Sequence, residues 1–107
     1  MSIEAVPGEV WTVDFGHAAK QRPVLVLAFP QPQDARALVV VAPLTSQQRG
    51  LRGEVDIGKP RWLPKHSAVN VQGIASIAQN ALLRKLGRLP EAQFQMVKSA
   101  IRDLLDL

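Results

Sequence analysis

The sequence predicts a small, mainly antiparallel β barrel or curved sheet with one helix packed on it near the C-terminal end. Three observations predict it. Short runs rich in Val, Ile, Leu and Thr alternate with Gly- and Pro-marked turns along most of the chain, which is strand-and-turn patterning. No helical stretch long enough for a parallel crossover separates these runs, so neighbouring strands are expected to pair antiparallel. Only after Pro90 do apolar residues recur at steps of three and four, the period of a helix. A chain of 107 residues builds one modest core, so 1–107 is expected to be one domain.

Pro7-Gly8 is a turn signal ahead of an alternating run over 9–15. Val10, Thr12 and Asp14 fall on one side, and Glu9, Trp11, Val13 and Phe15 on the other. Such alternation predicts a half-buried strand. Residues 16–20 form a small-residue loop containing His17. The run over 21–27 has no charge after Arg22, starts at Pro23 and is closed by Pro30, so it reads as a buried strand with an arginine at its mouth. A Pro-rich loop follows over 30–34, then a strand over 36–42 that is apolar after Arg36 and expected to be buried on both faces. The segment 43–48 is expected to leave the core and turn polar.

Residues 47–53, with two glycines and two arginines, read as a surface loop. A short alternating strand covers 54–57, and 58–65 is a basic, proline-punctuated loop with an exposed-looking Trp62. Short strands are expected over 67–71 and 74–77 around Gly73, a helical turn over 79–83, and a basic strand over 84–89. Pro90 suits the first position of a helix and Glu91 its positive end. Phe94, Val97, Ile101 and Leu104 then make one apolar stripe. The sum is five to seven strands and one helix, without internal repeats.

The formal charge is +4 and the pI about 10.1, a pull toward polyanionic partners. From residue 59 on, Lys59, Arg61, Lys65, Arg84, Lys85, Arg88, Lys98 and Arg102 stand against Glu91, Asp103 and Asp106. A solvated surface accounts for so small an excess equally well. There is no cysteine, which removes disulfides and thiolate metal sites and suits a reducing cytoplasm. Residues 1–5 carry no basic region leading into an apolar stretch, so no secretory signal is expected. No apolar run approaches the roughly 20 residues that span a bilayer, and no membrane partner is expected.

Several chemistries find no support. Gly50 and Gly53 lack the Lys-Ser/Thr and the strand–loop–helix setting of a phosphate loop. His17 and His66 lie far apart with no carboxylate pattern beside them, so no metal site and no cofactor is called for. No Gly-x-Ser-x-Gly is present. Aromatics make up 5% of the chain, too few for a platform that stacks several bases.

What remains is a meeting of strand mouths. Arg22 opens one core strand, and Thr45 and Ser46 close the next. If the two pair antiparallel, both lie at one edge of the sheet. An arginine meeting a hydroxyl near basic loops suits a phosphate or phosphodiester. Plainer readings stand beside this one. Arg22 could form a salt bridge with Glu9 or Asp14, Thr45 could bond its own turn, and His17 could be an exposed loop residue. Trp62 could stack a base, anchor a peptide or cover the core edge, the commonest fate of a lone tryptophan.

Four segments carry a resemblance. They are Gly8-Glu9-Val10-Trp11-Thr12-Val13-Asp14-Phe15, Gln21-Arg22-Pro23-Val24-Leu25-Val26-Leu27, Pro43-Leu44-Thr45-Ser46-Gln47, and the stretch from Leu82 through Leu86-Gly87-Arg88-Leu89 before a terminal helix. In this order, over nearly the whole chain, they resemble the MazF/PemK family of toxin endoribonucleases. The resemblance implies a homodimeric, SH3-like barrel with a terminal helix. It implies an mRNA-cleaving toxin of a type II toxin–antitoxin pair, held silent by the acidic C-terminal segment of its cognate antitoxin and meeting DNA only through that antitoxin.

Arg22 and Thr45 match the family's main catalytic residues, and His17 is the nearest match to a loop histidine of some members. His66 is a second acid–base candidate. Lys20, Ser46, Gln47, Arg49, Arg52, Lys59, Arg61, Lys65 and Gln72 are expected to contact single-stranded RNA. Trp11, Trp62 and Arg84 are expected to contact the antitoxin or the second protomer. The segment 72–78 departs from the family's pattern: Gln72, Ala75 and Ala78 stand where acidic and basic residues are common. That departure keeps a rival open, a catalytically weak or silent barrel that only binds RNA or antitoxin. A poison of DNA gyrase, like the structurally similar CcdB toxins, is the other alternative.

Overall fold

The structure, a computed structural model, describes residues 4–14 and 21–107. Its strands are β1 (Glu9–Asp14), β2 (Gln21–Ala28), β3 (Leu38–Thr45), β4 (Glu54–Gly58), β5 (Ser67–Asn70), β6 (Ala75–Ala78) and β7 (Leu82–Arg88), followed by helix α1 (Glu91–Leu105). Single 3-10 turns occupy Val71–Gly73 and Gln79–Ala81.

All seven strands join one antiparallel sheet in the order β4-β5-β3-β2-β1-β7, with β6 also on β3. β3 is the hub. One edge pairs with β2. The other edge is shared: β6 takes Leu38 to Val41, and β5 takes Leu44 and Thr45. The sheet does not close on itself, since no pairing joins β4 to β7 among the described residues. This is an open form of the expected barrel. Helix α1 lies against β4 and the 3-10 turn after β5, so it covers apolar surface that a closing strand would otherwise cover.

The hand-over on β3 explains two residues. Pro43 lies in mid-strand, although the segment from residue 43 was expected to leave the core. On the shared edge it falls between the β6 pairing, which ends at Val41, and the β5 pairing, which begins at Leu44. A proline there removes no bond from that ladder. The corner from β5 to β6 then passes directly over it. A Cβ on Gly73 would lie 2.6 Å from Pro43 Cγ, so only glycine permits the crossing.

Two apolar clusters line the sheet's two faces. One joins Val10, Leu25, Ala42, Val55, Ile57, Leu63, Val69, Val71, Leu89, Phe94 and Val97. The other joins Ala5, Trp11, Val13, Val24, Val26, Val39, Val41 and Leu82. β1, expected to be half-buried, is instead buried on both faces from Glu9 to Val13. It runs between β2 and β7 and feeds one cluster from each face. β3 departs the other way: Leu38 at its start is exposed and Val40 half-buried, because β6 brings only Ser76 and Ala78 opposite them.

Glu9 is the one acid inside this frame, and it is well partnered. Its carboxylate accepts from Val6 N at 2.9 Å and Trp11 Nε1 at 3.1 Å, and pairs with Lys85 Nζ at 2.9 Å. Burial alone would raise its pKa. The Lys85 hydrogen bond and charge, with the bonds from Val6 and Trp11, outweigh burial and hold the carboxyl below its ordinary 4.5.

Helix α1 buries Phe94 and Val97, with Ala100, Ile101 and Leu104 packed beside them. Burying Phe94 and Val97 contributes about 1.5–3 kcal/mol each. Pro90 lies just outside the helix rather than within it, and Glu91 occupies the first turn. Asp106 ends the helix in the left-handed region, φ 58°, its N–H donating to Arg102 O. No helix among the described residues is long and apolar enough to cross a membrane.

Candidate functional site

The β2–β3 register sets the site. Val24 pairs with Pro43, Leu25 with Ala42 and Val26 with Val41. Continuing that ladder by two residues sets Arg22 opposite Thr45. Opposed residues on one face of an antiparallel pair have Cβ atoms roughly 4.5–5.5 Å apart. Both residues line one open cleft of about 420 Å³, with Pro23, Leu44, Ser46, Gln47, Leu63, Pro64, Lys65 and Ser67. The expected convergence of the two strand mouths is therefore present.

The electrostatics of the cleft are one-sided. Arg22 and Lys65 bring positive charge, and no acid among the described residues lines the cleft. Among the described residues Arg22 forms no ion pair. Of its two expected partners, Glu9 is engaged by Lys85, so a salt bridge there is not what holds Arg22. Thr45 does make the expected turn bond: its Oγ1 accepts from Gln47 N at 3.1 Å. That bond also orients the hydroxyl. With one lone pair engaged, Thr45 still has its O–H to donate, and no acceptor takes it among the described residues. The arrangement suits a tetrahedral anion, with a charged fork on one side and a fixed hydroxyl on the other.

The opposite wall is the β4–β5 loop. Trp62 anchors it. The indole lies flat on β7, so that a Cβ on Gly87 would meet its Cδ2 and Cε2 at 2.3 Å. Trp62 is thus half-buried cover for the core edge, not the exposed residue expected. Leu63 continues into the core, leaving Pro64 and Lys65 at the cleft. Ser67 Oγ donates to Lys65 O at 3.0 Å and fixes the end of the loop.

Other expected residues fall elsewhere. Trp11, expected at an interface, is core: it is 9% exposed and bonded to Glu9. Arg52 pairs with Asp103 of α1 at 3.3 Å and donates to its carbonyl at 3.0 Å. Gln72 donates its side chain to Arg52 O and its N–H to Asn70 Oδ1. Neither lines the cleft, so this pair braces the helix rather than joining Arg22. Arg49, Lys59 and Arg61 are exposed on the loops flanking the cleft without lining it, and Arg84 is exposed on the edge strand β7. His66 bonds Asp56 Oδ1 through Nε2 at 2.7 Å and does not line the cleft. The Gly58 N–H, with His66, lowers the pKa of Asp56. His17 and Lys20 lie outside the described residues.

Five cleft residues were not singled out by sequence: Pro23, Leu44, Leu63, Pro64 and Ser67. The usable signal was the Trp62-Leu63-Pro64 triplet, where an apolar pair in a basic loop marks a return to the core. Among the described residues no cluster of three His, Cys, Asp or Glu could hold a metal ion.

Residues 6–105 match the family model described as "PemK-like, MazF-like toxin of type II toxin-antitoxin system". The chain belongs to the PemK/MazF toxin family. A relative named probable endoribonuclease MazF5, from Mycobacterium tuberculosis, is 35% identical over 92% of this chain and 91% of its own length. Endoribonuclease MazF3 of the same species is 33% identical over 82% of this chain and 85% of its own. Among solved structures, the M. tuberculosis toxin MazF-mt6 superposes with a TM-score of 0.78 at 29% identity, covering 92% of this chain and 97% of that one. A mycobacterial endoribonuclease in complex with its cognate antitoxin superposes at 0.81 over 97% of both chains. At 24% identity that second likeness establishes the PemK/MazF fold alone.

Proposed function

We propose that this PemK/MazF-family chain is the toxin of a type II toxin–antitoxin pair and an endoribonuclease that cuts single-stranded RNA. The observation that carries the reading is the cleft in which Arg22 and Thr45 face each other across β2 and β3, with no acid among the described residues lining it. The endoribonuclease names of the relatives support it and give the gyrase alternative nothing.

The chemistry draws on the RNA's own nucleophile. The 2′-oxygen attacks the adjacent phosphorus, and the bond to the 5′-oxygen breaks. The products are a 2′,3′-cyclic phosphate and a free 5′-hydroxyl, and the proton lost from the 2′-hydroxyl is balanced by one gained at the leaving oxygen. Arg22 neutralises charge growing on the phosphoryl oxygens. Thr45 donates its O–H to the same phosphate and positions it. His17, in the segment preceding Arg22, is the proposed acid–base group. Lys65, Ser46 and the flanking Arg49, Lys59 and Arg61 hold the strand, so binding weakens with salt. Unpaired RNA is the substrate because its bases can be splayed into a cleft. The active unit is a homodimer in the cytoplasm, silenced by the acidic segment of a cognate antitoxin that competes for the basic cleft.

The test is direct. Antitoxin-free protein is incubated with single-stranded RNA in the presence of a chelator, and the new ends are mapped. The reading expects 5′-hydroxyl and cyclic-phosphate ends, and a loss of about 10²–10³ in rate for Arg22→Ala. No such ends from the wild-type protein, or equal cutting by the variant, would refute it.

A further inference from the structure

Gln47 is held in an unusual way for a loop residue. Its backbone N–H is fixed by Thr45 Oγ1 at 3.1 Å. Beyond that, Arg49 N and Leu51 N both donate to Glu54 Oε1, at 3.0 and 3.1 Å. The loop is thus tied down on both sides of Gln47. Gln47 itself lines the cleft, and among the described residues nothing engages its side-chain amide.

The cleft has two characters. Arg22, Thr45, Ser46 and Lys65 are donors suited to phosphate. Pro23 and Pro64, backed by Leu44 and the buried Leu63, form an apolar shelf without hydrogen-bonding capacity. A nucleotide has the same two characters, an anion joined to a flat ring. With the phosphate between Arg22 and Thr45, the adjoining base lies on the proline shelf, its edge toward Gln47. An amide offers a donor and an acceptor side by side and reads a base edge through both.

We propose that Gln47 determines base specificity in this cleft, selecting one nucleotide next to the scissile phosphate. This rests on the endoribonuclease reading for the cut itself but not for binding. Because the backbone of Gln47 is pinned, its amide needs to order only its own side-chain torsions, and discrimination survives in an open cleft.

Two measurements test it. In the first, a randomised RNA pool is cut by wild type, Gln47→Ala and Gln47→Glu, and the frequency of each base is counted at each position around the cut. Wild type is expected to favour one base at one position. Gln47→Ala should flatten that position by roughly fivefold or more, the low end of one bidentate base contact. Gln47→Glu, which only accepts, should move the preference toward the base edge that presents two adjacent donors, guanine N1–H with N2–H2. Comparing positions within one pool cancels the general loss of affinity that an added carboxylate causes. In the second, 2′-O-methyl pentanucleotides differing at one base are bound to the same proteins and followed by anisotropy. The same base ranking in wild type and both variants overturns the proposal, whether or not RNA is cut. Base-ranked binding that depends on Gln47, with no cutting, overturns the endoribonuclease reading and leaves the proposal standing.

Discussion

Replacing Gly87 by alanine should unseat Trp62. The added Cβ would lie 2.3 Å from indole Cδ2 and Cε2 and 2.5 Å from Cγ. These atoms include the root of the ring, so rotating its far end away does not relieve the clash, and the indole must lift off β7. Gly87 is absent from the positive-φ glycines, so alanine fits the backbone there and would restrict the unfolded chain, a gain of about 0.4–1 kcal/mol. The loss is larger. A buried aromatic covers roughly 200 Å², and uncovering half of it at about 25 cal/mol per Å² costs about 2.5 kcal/mol. The net is a destabilisation near 1.5–2 kcal/mol. At about 4–8 °C per kcal/mol for a domain of this size, Tm should fall by roughly 6–16 °C. There are two tryptophans in the chain, so in a Trp11→Phe background the emission reports Trp62 alone and should shift to the red. Because Trp62 holds the loop bearing Pro64 and Lys65, RNA affinity should fall as well. Unchanged Tm with unchanged emission would show that the indole does not rest on Gly87, and the account of that cleft wall would be wrong.

Other outcomes follow from the same contacts. Val97→Ala, at a fully buried helix position, should lower unfolding stability in urea by about 2 kcal/mol, from two lost methyl equivalents plus a residual cavity. Glu9 has a lowered folded-state pKa, so its stabilisation is complete above its unfolded value and is lost as pH falls through the folded one. Glu9→Gln should therefore be less stable than wild type at neutral pH, with the difference shrinking below about pH 4.5 in pH-dependent melting. Thr45→Ser should retain RNA cutting, whereas Thr45→Val, which removes the hydroxyl donor, should reduce it by about 10²-fold or more in a fluorogenic RNA assay. Lys65→Ala should flatten the salt dependence of RNA binding by about 0.7 in log–log slope, while Arg52→Ala, whose charge already serves Asp103, should change it less.

The meeting of Arg22 and Thr45 was legible because it needs only two adjacent antiparallel strands and a register, and strand period fixes which residues share a face. The helix stripe was legible for the same local reason. What escaped depends on long-range closure. Alternation along β1 suggested a half-exposed strand because the polar residues Glu9, Thr12 and Asp14 punctuate the run. The sequence cannot show that Lys85, seventy-six residues later, neutralises Glu9 inside the sheet. Pro43 looked like the end of a strand because a proline normally stops a ladder; its position between two pairing partners is a property of the fold. The basic residues were read as one surface, yet Arg52 faces the helix while Lys65 faces the cleft, a division that composition cannot contain.

The departure at 72–78 bears on the site less than the sequence suggested. Gln72 sits in the 3-10 turn and spends its amide on Arg52 O. Ala75 to Ala78 pair with Leu38 to Val41, the first half of β3, whereas Thr45 ends that strand. The uncharged segment and the cleft therefore occupy opposite ends of one strand, and losing charge from the first takes no donor from the second. Arg22, Thr45, Ser46 and Lys65 remain together with no acid among the described residues to oppose them. On the proposed reading, loss of cutting would require loss of Arg22 or Thr45 themselves, and both are present at the cleft. On the same reading, discrimination between substrates then falls on the cleft's own lining, Gln47 included.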